Sequence, residues 1–215
     1  MIAITGGSGE IASRLAELLL AQEMSVILYG RSANPNVKLA GVYRQIMNYD
    51  SISLNSDIDS IVITNGAFRL ASLTELTHEE IDELVEANFT NIVKIIQTFL
   101  TQTRADVRRN IFVLGSTSVY DLSPKTSLYS ASKLALKGLI QVLNKEFAET
   151  DTRFSYISFS TVDNKMGRNV PDQINETLLS LDNIVKEIIY RIINKENYFE
   201  PEVIIRRRSI QEHKK

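Results

Sequence analysis

Seven short apolar runs, spaced along the whole chain, constrain its fold more than any other feature of the sequence. Four of them are nearly continuous blocks of Ile, Val and Leu, the composition of strands that are buried on both faces. Such strands are typical of a parallel sheet covered by helices on both sides. The runs are Ile2–Ile4, Val26–Tyr29, Tyr43–Met47, Ile61–Thr64, Ile111–Leu114, Phe154–Phe159 and Val203–Ile205.

The segments between these runs carry apolar residues at helical spacing. One predicted helix includes Ile11–Leu19, and the others cover residues 79–104, 127–149 and about 182–194. Strand–helix alternation from end to end predicts an α/β fold, a Rossmann-type doubly wound parallel sheet of about seven strands with helices on both faces. Because no repeat or linker interrupts the sequence, we expect a single domain over residues 1–215.

A glycine-rich segment follows the first strand. It therefore lies at the carboxyl end of the sheet, where ligands of such folds bind. Residues 7–12 fit the pattern G-x-G-x-x-G/A between a strand and a helix, the context that dinucleotide binding requires. The glycines allow a tight turn and a close approach of the backbone to a pyrophosphate, which the helix N-terminus attracts. A tight turn without a ligand is the alternative, and the context favours binding.

The residues after the second strand predict which dinucleotide is preferred. Tyr29-Gly30-Arg31-Ser32 contains no Asp or Glu to bind a ribose 2′-hydroxyl, whereas Arg31 can pair with a 2′-phosphate. We therefore expect NADP(H) as the preferred cofactor, with NAD possible. An exposed loop arginine without a ligand is the alternative for Arg31.

A second motif, YSASK at residues 129–133, opens the third predicted helix. Tyr129 and Lys133 are four residues apart and so share a helix face. An ammonium about 4 Å from a phenolate stabilises it by about 4 kcal/mol at an effective dielectric constant of about 20, which lowers the tyrosine pKa towards neutrality. The pair predicts a general acid or base, although such pairs also occur on solvated helices.

Two further polar residues support this interpretation. Ser116 follows the fifth run, thirteen residues before Tyr129, where its hydroxyl can hydrogen-bond a substrate carbonyl or alcohol. Asn88 lies among apolar residues of the 79–104 helix, where a buried amide needs hydrogen-bond partners. Asn88 either holds a water molecule behind Lys133 or is satisfied by backbone groups at a helix kink.

Taken in this order, the loop, Asn88, Ser116 and the Tyr129–Lys133 pair resemble the short-chain dehydrogenase/reductase family over essentially the whole chain. The resemblance implies a Ser-Tyr-Lys-Asn catalytic set. In it Tyr129 exchanges the proton, and Lys133 holds the nicotinamide ribose and lowers the tyrosine pKa. Ser116 orients the carbonyl, and Asn88 supports a proton relay.

The resemblance also implies cofactor contacts after six of the strands, among them an acid near the adenine and an Asn-Gly-Ala stretch near the ribose. The contacts are Gly6, Gly7, Ser8, Gly9, Glu10, Ile11, Arg31, Ser32, Asp50, Asn65, Gly66, Ala67, Tyr129, Lys133 and Val162. We expect the Glu10 side chain, at the start of a helix, to point away from the pyrophosphate.

Three departures from the family pattern keep other functions open. Glu10 and Ala12 replace two glycines of the usual loop, which instead is similar to that of the extended members that include nucleotide-sugar epimerases and dehydratases. Phe159-Ser160 replaces the usual Pro-Gly after the sixth strand, which puts the contact of Val162 in question. The chain is also too short for the substrate domain of extended members, which favours a simple reductase.

The sequence therefore predicts an NADP(H)-dependent oxidoreductase that transfers hydride between nicotinamide and a small-molecule carbonyl/alcohol substrate. The alternatives are an NAD-dependent nucleotide-sugar-modifying enzyme and a catalytically silent dinucleotide-binding scaffold. Residues 163–180 should form a lid over the substrate. By the resemblance, the 79–104 and 127–149 helices imply a homodimer or homotetramer.

Composition excludes several other classes of protein. With no cysteine and two histidines, the chain offers neither thiolate nor histidine-rich metal sites, so we expect no metal. A net charge of −2 argues against nucleic acid as a partner. No apolar run approaches the roughly 20 residues of a membrane span and no signal peptide is evident, so we expect a cytoplasmic protein without membrane contact.

Overall fold

A computed structural model of the chain describes residues 1–33, 36–171, 175–195 and 199–207. Its seven strands form one sheet in the order β3-β2-β1-β4-β5-β6-β7, and every neighbouring pair is parallel. The predicted fold class is confirmed, and each predicted run contributes one strand. The strands are β1 (Ile2–Thr5), β2 (Val26–Gly30), β3 (Tyr43–Gln45), β4 (Ser60–Ile63), β5 (Arg109–Leu114), β6 (Thr152–Phe159) and β7 (Glu202–Ile205).

The four predicted helices are present, and two four-residue helices follow β5 and β6. The helices are α1 (Glu10–Leu20), α2 (His78–Val85), α3 (Asn91–Gln102), α4 (Ser118–Asp121), α5 (Ser127–Glu146), α6 (Lys165–Arg168) and α7 (Leu181–Ile193). The segment predicted as one helix over 79–104 is interrupted, because a π-helical turn at Glu86–Thr90 separates α2 from α3. Such turns often mark functional sites.

Helices cover both faces of the sheet, as the buried strands require. Leu15 and Leu19 of α1 and Ile188 of α7 pack against one face. Ile95 of α3 and Ile140 of α5 pack against the other. The periodic apolar positions of these helices therefore form two cores, one on each side of the strands.

The predicted alternation of strands and helices is wrong at two connections. Between β3 and β4 the chain forms only a short 3₁₀ helix, Tyr49–Ser51, and the described part of the β2–β3 connection contains only another, Val37–Leu39. Both connections lie on the β3 side of the sheet. Each connection nevertheless buries apolar residues without an α-helix, Leu39 in the first and Tyr49, Ile52, Leu54 and Ile58 in the second.

The order of the strands fixes where a ligand can bind. Connections leave β1 and β4 in opposite directions along the sheet, so a crevice opens between the carboxyl ends of these two neighbouring strands. The glycine loop follows β1, and Asn65-Gly66-Ala67 follows β4. Ser116 follows β5 beside them. The topology thus places the predicted site residues together at the carboxyl end of the sheet.

Candidate active site

The glycine loop lies close against the ends of β2 and β4. Gly6 has a φ of +78°, and a Cβ there would collide with the hydroxyl of Thr64. A Cβ on Gly7 would lie 2.8 Å from the carbonyl oxygen of Tyr29, to which the Gly7 N–H donates at 2.8 Å. Glycine is therefore required at both positions, because the backbone conformation or the space excludes a side chain.

The N-terminus of α1 presents backbone donors to the crevice side of this loop. Gly9 caps the helix without any side-chain hydrogen bond, and the first intrahelical bond runs from the N–H of Ser13 to the carbonyl of Gly9 at 3.0 Å. The N–H groups of Glu10, Ile11 and Ala12 thus have no partner within the helix. With the exposed Ser8 beside them, these groups fit the pyrophosphate of a dinucleotide.

Glu10 contacts the segment after β6. Its Oε2 accepts the backbone N–H of Lys165 at 3.0 Å, and its Oε1 lies 3.7 Å from Nη2 of Arg168. That these contacts point its side chain away from a pyrophosphate remains a prediction.

The residues after β4 join the two sides of the crevice. The hydroxyl of Thr5 donates to Oδ1 of the buried Asn65 at 2.5 Å, which links the ends of β1 and β4. Gly66 lies against the catalytic candidates, since a Cβ there would be 3.1 Å from Oδ1 of Asn88 and 3.3 Å from Nζ of Lys133. Asn65 thus connects the ends of β1 and β4, and Gly66 brings the loop after β4 against the catalytic candidates.

Asn88 lies in the π-helical turn and is completely buried. Its Oδ1 accepts the N–H of Ala67 at 3.0 Å, and its Nδ2 donates to the carbonyl of Ala67 at 2.9 Å. The amide is thus satisfied by backbone groups, but they belong to the loop after β4 rather than to the helix itself. The amide thereby fixes the loop after β4, whose Gly66 lies against Lys133. That Asn88 also holds a water molecule behind Lys133 remains a prediction.

Lys133 is a buried cation on α5. Its side chain donates to the carbonyl of Leu114 at 3.3 Å. Burial lowers the pKa of Lys133 to about 8. The protein thus holds a buried ammonium, which loses its proton near pH 8, between Gly66 and the end of β5.

Tyr129 lies half-buried one helical turn before Lys133. Burial raises the pKa of Tyr129, and a hydrogen bond with Ser116 opposes that increase. The lowered pKa that we predicted from Lys133 is therefore not found in this arrangement, because burial outweighs the favourable contacts. The ring of Phe68 packs edge-on against Tyr129 with the ring centroids 4.9 Å apart.

Sequence reasoning missed two residues next to the catalytic candidates, Tyr156 and Gly115. Tyr156 of β6 is fully buried, and its hydroxyl donates to the carbonyl of Lys133 at 3.1 Å. Its ring fills the space beside Gly115, where a Cβ would lie 2.5 Å from Cε1 of Tyr156. The glycine directly before Ser116 was a signal for close packing, but nothing in the sequence identified its partner.

The predicted adenosine-side residues lie further out. Arg31 is exposed, with its guanidinium carbon 5.7 Å above the centroid of the Tyr49 ring. The carbonyl of Ser32 accepts the hydroxyl of Tyr43. Asp50 forms an exposed ion pair with Lys94 of α3 at 2.9 Å. The structure thus directs Asp50 towards a helix, and its contact with adenine remains a prediction.

The predicted lid is described only in part, because residues 172–174 lie outside the described residues. Val162, directly before it, is buried and forms a parallel bridge with Leu179. Among the described residues, no group of three or more His, Cys, Asp or Glu side chains is arranged to hold a metal ion. The described helices are all too short or too polar to cross a membrane.

Comparison with known proteins identifies the family. A model of the short chain dehydrogenase family matches residues 49–175. The chain belongs to this family. An uncharacterized oxidoreductase of Staphylococcus epidermidis is 24% identical over 220 residues, which cover 94% of this chain and 95% of the relative.

Solved structures share the fold of this short chain dehydrogenase. A serine dehydrogenase complexed with NADP⁺ has a TM-score of 0.82 at 16% identity and covers 95% of this chain and 94% of its own. An alcohol dehydrogenase from the archaeon Thermococcus sibiricus, complexed with 5-hydroxy-NADP, has a TM-score of 0.81 at 22% identity, with 96% and 95% covered. The predicted family is confirmed, and with it the general class of NAD(P)-dependent oxidoreductase.

Proposed function

We propose that this short chain dehydrogenase is an NADP(H)-dependent reductase of a small-molecule carbonyl, with Ser116, Tyr129, Lys133 and Asn88 as its catalytic set. One observation supports this proposal most: Tyr129 lies close to Ser116 and one turn before the buried Lys133, at the carboxyl end of the sheet, where α1 presents the N–H groups of its first residues. A bound dinucleotide supplies the hydride chemistry.

The chain's own residues supply orientation and a proton. The hydroxyls of Ser116 and Tyr129 can both donate to one carbonyl oxygen, which places charge stabilisation and proton donation at the same atom. A raised pKa keeps Tyr129 protonated and thus able to donate. In this proposal Lys133 holds a ribose hydroxyl, and Asn88 fixes the loop after β4, whose Gly66 lies against Lys133.

The preference for NADP(H) rests on Arg31. This side chain is exposed after β2, and no Asp or Glu stands beside it in the Tyr29–Ser32 segment. Two of the structural neighbours were solved with NADP-type ligands, which is compatible with the proposal. Arg31→Asp should reduce the ratio of NADPH to NADH affinity, whereas an unchanged ratio would remove Arg31 from the cofactor site.

We also propose that the protein is a homodimer or homotetramer that associates through α5. Leu134 and Val142 on this helix are 42% and 52% exposed, and Gly138 between them has open space around its Cα. A second copy would cover this apolar stripe. A monomeric mass at micromolar concentration in light scattering would contradict the proposal.

The function is tested with purified protein, NADPH and a panel of activated ketones and aldehydes, including aliphatic, aromatic and anionic members. We expect NADPH oxidation to match alcohol formation for at least one carbonyl and to be slower with NADH. Binding of NADPH without turnover of any carbonyl would favour a silent dinucleotide-binding scaffold. Absence of dinucleotide binding would contradict the proposed function altogether.

A further inference from the structure

The glycine loop and the segment after β6 are tied together by a single carboxylate. Glu10, the first residue of α1, accepts the backbone N–H of Lys165 at 3.0 Å. The same carboxylate lies 3.7 Å from the guanidinium of Arg168, at the other end of α6. Residues 155 positions apart are thereby held together at the mouth of the crevice.

The segment that Glu10 holds, residues 161–168, is a compact unit that we call the strap. Asn164 caps α6 by accepting the N–H of Gly167 at 2.8 Å. A Cβ on Gly167 would collide with the carbonyl of Val162, so the turn closes tightly on itself. The N–H of Asp163 donates to the carbonyl of Leu179 at 2.8 Å, which anchors the beginning of the strap to a second segment of the chain.

The contact is next to the donors that fit a pyrophosphate. The N–H groups of residues 10–12 have no partner within α1, and Glu10 itself belongs to this group. A dinucleotide bound to these donors therefore lies beside the strap. Its release then depends on whether the Glu10 contact holds the strap in place.

We infer that Glu10 is a positioning residue that holds the strap against the glycine loop and thereby slows the release of a bound dinucleotide. The inference rests on the proposed function, since it requires that the loop binds a dinucleotide. Neither the loop pattern nor the family resemblance requires an acid at this position.

Two effects of the carboxylate have opposite signs, and they can be separated. As a hydrogen-bond acceptor Glu10 fastens the strap, whereas as an anion it repels a pyrophosphate. Arg168 moderates the repulsion, although it also pairs with Asp163 at 2.7 Å. Glutamine keeps an acceptor for the N–H of Lys165 and removes the charge, whereas alanine removes both.

The experiment measures the rate of NADPH release from the full chain by stopped-flow fluorescence after displacement with excess NADP⁺. We expect Glu10→Ala to release NADPH about fivefold faster, the effect of one ordinary hydrogen bond. Glu10→Gln should remain within about twofold of the unsubstituted protein. Glu146→Gln, an exposed acid at the far end of α5, is the control for loss of one charge.

Three results would overturn the inference. Slower release from both Glu10 variants would show that repulsion dominates, and an unchanged rate in Glu10→Ala would show that the contact is incidental. Equal acceleration in both variants would mean that the charge, and not the acceptor, matters. If the unsubstituted protein bound no dinucleotide at all, the proposed function would fail as well, which distinguishes the two cases.

Discussion

Replacing Lys133 with methionine is expected to make the protein more stable at neutral pH. The ammonium of Lys133 is only 3% exposed, and burial lowers its pKa from 10.5 to about 8. That difference corresponds to about 3 kcal/mol of folding free energy at pH 7. Methionine removes this cost, but it also removes the hydrogen bond to Leu114, so we expect a net gain of about 2 kcal/mol.

The pH dependence of the gain follows from proton binding. The folded protein releases the Lys133 proton near pH 8, whereas the unfolded chain keeps it up to about pH 10.5. Between these values the unfolded chain binds more protons, so the stability of the unsubstituted protein rises with pH. Below pH 8 both states are protonated and the cost is constant. The advantage of Lys133→Met should therefore disappear between pH 8 and 10.5.

Urea unfolding followed by circular dichroism measures this difference at several pH values, since the chain contains no tryptophan. Lys145→Met, which removes an exposed lysine near the end of the same helix, is the matched control and should leave the stability nearly unchanged. The reasoning would be refuted if Lys133→Met were less stable than the unsubstituted protein at pH 7. An advantage that persisted unchanged to pH 10.5 would also refute it.

Two further substitutions test the geometry around Tyr129. Because hydrogen bonding to Ser116 lowers the pKa of Tyr129, Ser116→Ala should raise that pKa and move the alkaline loss of carbonyl reduction to higher pH, with a fall in kcat of about 100-fold; an unshifted alkaline limb in the pH–rate profile would contradict the contact. Gly115→Ala should cost about 1–3 kcal/mol of stability through its collision with Tyr156, and this cost should vanish in a Tyr156→Ala background. Strictly additive unfolding energies would show that the two residues do not share that space.

Most of the fold could be predicted from the sequence, because apolar periodicity reports directly on burial. Runs such as Val26–Tyr29 became strands within a residue or two of the predicted ends. The connections around β3 could not be predicted in this way, since their scattered apolar residues, such as Leu39 and Ile52, are compatible with a helix or with a short 3₁₀ turn. The π-helical turn at Asn88 was likewise hidden, because it preserves an approximately helical spacing of apolar residues.

The sequence predicts which residues form the candidate site, but it does not predict the contacts that these residues make. The order of the motifs along the sequence identified Ser116, Tyr129 and Lys133 as one set. The topology places all three at the carboxyl end of the sheet. The pKa of Tyr129 is raised, whereas the prediction was that it is lowered. The prediction was wrong because a pairwise Coulomb argument omits the burial of both partners. Contacts across long sequence separations, such as Tyr156 with Lys133, leave no local pattern.

The central claim is that Tyr129 donates the proton in a dinucleotide-dependent carbonyl reduction, and Tyr129→Phe tests it most directly. This variant keeps the ring and its packing on Phe68 and removes only the hydroxyl. With the best carbonyl of the panel, we expect NADPH oxidation to fall by at least about 100-fold while NADPH still binds with nearly the same affinity. Turnover retained within a fewfold of the unsubstituted protein would contradict the account.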